Sequence, residues 1–141
     1  MVDIDIEYEG DLHCAAIHRP SKTAMTTDAP VDNQGRGASF SPTDLVATGL
    51  GTCMATTMNI VGRRKNYSEL TGLKVHVQKH MTSTAPRRIA RLSVELTIPA
   101  ATASAFDASA RAELENAAHT CPVRLSLIEA LEVPVVFDWQ G

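Results

Sequence analysis

The sequence predicts an α+β fold with a largely antiparallel sheet, and three observations carry that expectation. Residues 2–8 alternate between apolar and polar side chains and residues 89–98 repeat the alternation, residues 45–62 form a long uncharged stretch behind a strong helix start, and a second helical spacing begins near Phe106. Strands therefore come in runs, with helices between the runs, which is the α+β arrangement and not a chain of βαβ units. At 141 residues with 44% hydrophobic side chains, the chain is read as one globular domain, residues 1–141.

Each element has its own signal. Val2, Ile4, Ile6 and Tyr8 alternate with Asp3, Asp5, Glu7 and Glu9, the period of a half-buried strand. Gly10-Asp11 marks a turn, and residues 12–18 and 23–27 continue a meander across the breaker Arg19-Pro20-Ser21-Lys22. Residues 29–39 are rich in turn formers and without period, so they read as an irregular arm. Ser41 as N-cap, Pro42 at the first helical position and Asp44 three residues after the cap then start a helix. Its uncharged stretch predicts burial on most sides, and Arg63-Arg64-Lys65 suits its negative C-terminus. Gly49 and Gly51 each cost about 1 kcal/mol against Ala, so tertiary packing has to hold this helix.

Beyond it, Val75 and Val77 alternate with Lys74, His76 and Gln78, and residues 89–98 repeat the alternation across a turn at Ala85-Pro86. Phe106, Ala110, Leu114 and Ala117 are spaced helically. Pro122 interrupts and restarts helical structure, with Val123, Leu127 and Leu131 as one stripe, before a last strand at 133–137.

Composition excludes some partners. A net charge of −3, from 13 basic and 16 acidic residues intermixed, supplies no field for nucleic acid or a membrane surface. No apolar run approaches the roughly 18–20 residues that span a bilayer, and the acidic start does not resemble a signal peptide. A cytoplasmic location is expected. Nineteen Ala and fourteen Thr against six aromatic residues require an interior of small and aliphatic side chains. Three cysteines, Cys14, Cys53 and Cys121, cannot all pair within one chain, which directs attention to reactive thiols.

Cys53 lies twelve residues beyond the helix cap, out of reach of the helix dipole. It is either one more small buried side chain or a thiolate stabilised by something else. Cys121, just before Pro122, sits at a helix start whose free N–H groups lower a thiol pKa; the alternative is a cysteine serving as a poor cap. No CxxC occurs, and His76 and His80 fall on a strand about 13 Å apart, so no metal site is expected. Gly49-Leu50-Gly51 lies inside a helix and lacks a third glycine, so no dinucleotide cofactor is expected either. His119 is two residues from Cys121, a poor placement for the base of a cysteine hydrolase.

Phe40-Ser41-Pro42-Thr43-Asp44-Leu45, running on to Gly51-Thr52-Cys53-Met54, and again His119-Thr120-Cys121-Pro122, resemble the OsmC/Ohr family of thiol peroxidases. The arm, with Thr27-Asp28-Ala29-Pro30, Asp32-Asn33 and Gly35-Arg36-Gly37, is similar to one branch of OsmC-like proteins. The resemblance implies an intertwined homodimer whose sheets wrap a buried central helix. It implies a hydroperoxide reductase, organic hydroperoxides preferred and hydrogen peroxide also possible, with Cys53 peroxidatic and Cys121 resolving. An external dithiol or protein would be the reductant, and no cofactor is needed. The family pairs an arginine with a glutamate beside the first cysteine. The glutamate position is Thr43 here, which leaves Asp44 as the candidate acid and Arg36, then Arg19, as the candidate cation. A non-peroxidatic redox or ligand-binding module with the same fold is the alternative reading. Cys14, beside His13, matches no catalytic position and reads as packing.

Overall fold

A computed structural model describes residues 1–141. The chain separates into two compact units, Met1–Val46 and Ala47–Gly141, with the boundary inside the long helix.

The first unit is a meander of three antiparallel strands, β1 (Ile4–Gly10), β2 (His13–His18) and β3 (Thr23–Asp28), in the order β1-β2-β3. Arg19-Pro20-Ser21-Lys22 forms the tight connection expected, and Arg19 there holds Asp5 through two hydrogen bonds of 2.6 and 2.8 Å. The alternation in β1 is real, but it is not half-buried: Ile4, Ile6 and Tyr8 are 58%, 70% and 63% exposed. Nothing in this unit covers that apolar row. After β3 the arm makes a short 3-10 turn, Val31–Asn33, and leads to α1 (Pro42–Arg64).

The start of α1 is a reciprocal cap. Asp44 N donates to Ser41 Oγ at 3.2 Å, and Ser41 N donates to Asp44 Oδ2 at 2.9 Å. By length and mean hydropathy, 1.3 over its best window, α1 could cross a bilayer, so sequence reading understated how apolar it is. Its buried residues nevertheless form a helical stripe, Ala47, Leu50, Gly51, Met54, Met58 and Gly62, the stripe of a core helix. Thr52, Thr56 and Ile60 on the other side are exposed, so within one chain the burial is one-sided.

The second unit packs that stripe against a sheet of β4 (Lys74–Met81), β5 (Ile89–Ile98) and β6 (Val135–Trp139). β4 and β5 are antiparallel; β6 runs parallel to β5, with Val94 opposite Val135. Gly51 is required where helix meets sheet, because a Cβ there would lie 2.8 Å from Val77 Cγ2 and 3.3 Å from Val75 Cγ1. Leu92, Val94, Leu96 and Ile98 of β5 are buried with Leu50, Met54 and Met58. Between β5 and β6 come α2 (Ala100–Ala103), α3 (Ala108–His119) and α4 (Pro122–Ser126). Asp107 caps α3 by accepting from Ala110 N at 2.8 Å.

The stripe expected at Val123, Leu127 and Leu131 is corrected here. α4 ends at Ser126 and Leu127 is extended, with ψ 151°, so Leu131 is buried from a turn and not from a helix. Apolar residues four apart fit a helix or a folded turn equally well, and the chain takes the second to reach β6.

Candidate functional site

The site is built from the middle of α1 and the start of α4. Cys53 projects from α1, half-buried against the core, with its Sγ 3.8 Å from Thr57 Oγ1 one turn on. Cys121 is the N-cap of α4 and is 0% exposed. Pro122 at the first helical position lacks an N–H, and the Arg124 N–H donates to Cys121 Sγ at 3.4 Å. Cys53 and Cys121, 68 residues apart in sequence, are neighbours in the fold, near enough for Cys53 to bear on the Cys121 thiol, and both are free thiols.

The cap was expected to lower the Cys121 pKa. Instead it is raised, because burial penalises the thiolate more than the Arg124 N–H favours it, and the neighbouring Cys53 raises it further. Burial and the neighbouring Cys53 thus both favour the neutral form of the Cys121 thiol. A capping position alone did not reveal this; the depth of the cap decides the sign.

The other expected residues lie in the first unit. Arg36, 61% exposed, points to Asp28, with its Nη2 3.5 Å from Asp28 Oδ1. Asp44 contributes its carboxylate to the α1 cap, and Thr43 Oγ1 lies 3.2 Å from Ser41 Oγ. Arg19 is engaged with Asp5. Cys14 sits on β2 opposite Tyr8 and Thr27. In the second unit, His76 and His80 are exposed on β4.

Sequence reasoning missed the role of Asp28. It is 2% exposed at the end of β3, and its carboxylate accepts from the Ala38 N–H at 3.1 Å and meets His13 Nδ1 at 2.6 Å. The His13 hydrogen bond, helped by Arg36, holds its pKa below the ordinary carboxylate value despite the cost of burial. A strand ending in Asp two residues before Pro30 is the only sequence signal of this anchor.

Two neighbouring free thiols on an α+β scaffold, one within a helix and one at a helix cap, make up the candidate site. A family model described as OsmC-like protein matches residues 35–135. A structure from Psychrobacter arcticus 273-4, described as an osmotic stress induced and detoxification response protein, is 36% identical, with 97% of this chain and 96% of that one covered and a TM-score of 0.86. The chain belongs to the OsmC-like protein family. The fold is shared with an organic hydroperoxide resistance protein OsmC from Legionella pneumophila (14% identity, 98% and 96% covered, TM-score 0.75). It is shared also with the organic hydroperoxide resistance protein OhrB of Bacillus subtilis (16% identity, 98% of each chain, TM-score 0.67). Among functionally curated proteins, none matches this chain.

Proposed function

We propose that this protein is a cytoplasmic, homodimeric, thiol-dependent hydroperoxide reductase, with residues 1–141 acting as one OsmC-like domain. The observation that carries the reading is the meeting of Cys53 and Cys121, of which only Cys53 keeps exposed surface. The Cys53 thiolate attacks the distal oxygen of the hydroperoxide, the O–O bond breaks, and the alcohol or water departs with a proton while Cys53 becomes a sulfenic acid. The Cys121 sulfur then displaces that hydroxyl as water, closing a Cys53–Cys121 disulfide. An external dithiol or protein reductant reopens it. Organic hydroperoxides are the preferred substrates, since the groups around α1 are apolar. Arg36 is the candidate cation for the thiolate and Asp44 the candidate acid. The exposed row of Ile4, Ile6 and Tyr8 supports the dimer, because a contiguous apolar strip on a small domain is usually covered by a partner.

One observation favours the second reading, a redox or ligand-binding module without peroxidase activity: Thr43 stands where the family has glutamate, and the Asp44 carboxylate serves the helix cap. A dithiol-coupled assay with cumene hydroperoxide and hydrogen peroxide separates the two. The expected result is turnover in wild type, none in Cys53→Ser, and a trapped sulfenic acid in Cys121→Ser. Equal peroxide consumption in all three overturns the peroxidase reading.

A further inference from the structure

The two sulfurs of the site are not equivalent to an approaching reagent. Cys121 is enclosed by the core and has no exposed surface, whereas Cys53 on α1 is only half-buried. Thiol–disulfide exchange is a displacement at sulfur, and its course depends on which sulfur the incoming thiolate can reach. We infer that reduction of the Cys53–Cys121 disulfide begins at Cys53 Sγ, with Cys121 as the leaving sulfur; this rests on the peroxidase reading above.

The step balances as follows. A thiolate of the dithiol reductant supplies the electron pair for a new S–S bond to Cys53. The Cys53–Cys121 bond breaks, and its electron pair leaves on Cys121, where the Arg124 N–H stands 3.4 Å from the sulfur. Cys121 then takes up one proton, matching the one that the reductant's first thiol gave up on becoming the thiolate. The second thiolate of the reductant attacks the reductant's own sulfur in the mixed disulfide. Cys53 is released as a thiolate and the reductant becomes a cyclic disulfide, so two electrons pass to the protein. The raised pKa of Cys121 adds a direction to this sequence. A basic thiol leaves slowly, but once protonated it holds little thiolate with which to attack the mixed disulfide and reverse the step.

The test uses the full chain with Cys14→Ser, oxidised by diamide. The disulfide is reacted briefly with 2-mercaptoethanol, quenched in acid, blocked with N-ethylmaleimide and mapped by peptide mass spectrometry. The expected result is the mercaptoethanol adduct on Cys53 and maleimide on Cys121, with about a tenfold or greater excess over the reverse pattern. An adduct on Cys121, an even split, or failure of diamide to join the two cysteines overturns the inference. A second measurement charges Cys121→Ser and Cys53→Ser chains as mixed disulfides with 5-thio-2-nitrobenzoate and follows release by dithiothreitol. Release about tenfold faster from Cys53 supports the assignment, and equal rates overturn it. If diamide closes the disulfide but cumene hydroperoxide does not, the peroxidase reading fails while the adduct map still decides the order of attack.

Discussion

His13 Nδ1 lies 2.6 Å from Asp28 Oδ1, and this contact ties the second strand to the start of the arm that carries Arg36. Asp28 is buried, and three partners from two segments meet its carboxylate: His13 of β2, and Arg36 and the Ala38 N–H of the arm. The arm is thereby held by one charge.

That charge sets an acid limit. The folded pKa of Asp28 lies below its unfolded value, so its contribution is complete above the ordinary carboxylate range and is lost as pH falls through the lowered folded value. Limited proteolysis within residues 29–39 is expected to accelerate below about pH 4, and Asp28→Asn is expected to show the fast cleavage already at neutral pH. Cleavage of Asp28→Asn at the wild-type rate would dismiss the anchor.

Cys121 sets an alkaline limit of opposite sign. Its folded pKa is raised, so the neutral thiol's contribution is complete below the unfolded thiol pKa and is lost as pH rises through the folded one. Wild type should lose more stability in urea titrations between about pH 8 and 10 than Cys121→Ala does. Cys53 should also alkylate with iodoacetamide well ahead of Cys121 at neutral pH. Parallel stability curves for the two proteins would contradict the raised pKa.

Gly51 separates helix propensity from packing. Alanine would gain about 1 kcal/mol in helix propensity, yet its Cβ meets Val77 Cγ2 at 2.8 Å, on a β-branched side chain with little rotamer freedom. Overpacking of this kind costs about 1–3 kcal/mol, so Gly51→Ala should be destabilised by about 1 kcal/mol in net terms. Thermal unfolding measures it, and a raised Tm would show that β4 yields.

The cap of α1 offers a way to test Asp44. Ser41→Ala removes one arm of the reciprocal cap, at about 0.5–2 kcal/mol, whereas Asp44→Asn removes the carboxylate charge and keeps an amide oxygen that can accept from Ser41 N. If the Asp44 carboxylate also serves the thiol site, Asp44→Asn loses peroxide turnover beyond the small loss in Ser41→Ala. Matched turnover at matched stability assigns Asp44 to the cap alone.

Gly35 tests the arm itself. A Cβ at this position would lie 1.7 Å from the Ala29 carbonyl oxygen, a backbone atom with no freedom to withdraw. Gly35→Ala should therefore open the arm to proteases as Asp28→Asn does, while far-UV circular dichroism stays at the wild-type level. Resistance equal to wild type would mean that the arm refolds around the substitution.

Much of the fold was legible because its signals are local. The reciprocal cap of Ser41 and Asp44, the breaker between β2 and β3, and the alternation in β4 and β5 each depend on neighbours a few residues away. The errors occur where the deciding partner is distant. Alternation in β1 foretold a strand but not whether its apolar side would be covered, and Leu127 and Leu131 carried a helical spacing that the route to β6 overrode.

For the site, the sequence by itself supplied two cysteines, each with a recognisable local setting: Cys53 inside an uncharged helix and Cys121 ahead of Pro122. Only the tertiary structure decided that the two meet, that Cys121 is sealed from solvent, and that Asp28 is the charge holding the arm. The physical reason is the same in all three cases. Spacing and capping are properties of a few consecutive residues, whereas desolvation depends on everything packed around an atom, and it is desolvation that pushes the Cys121 thiol up.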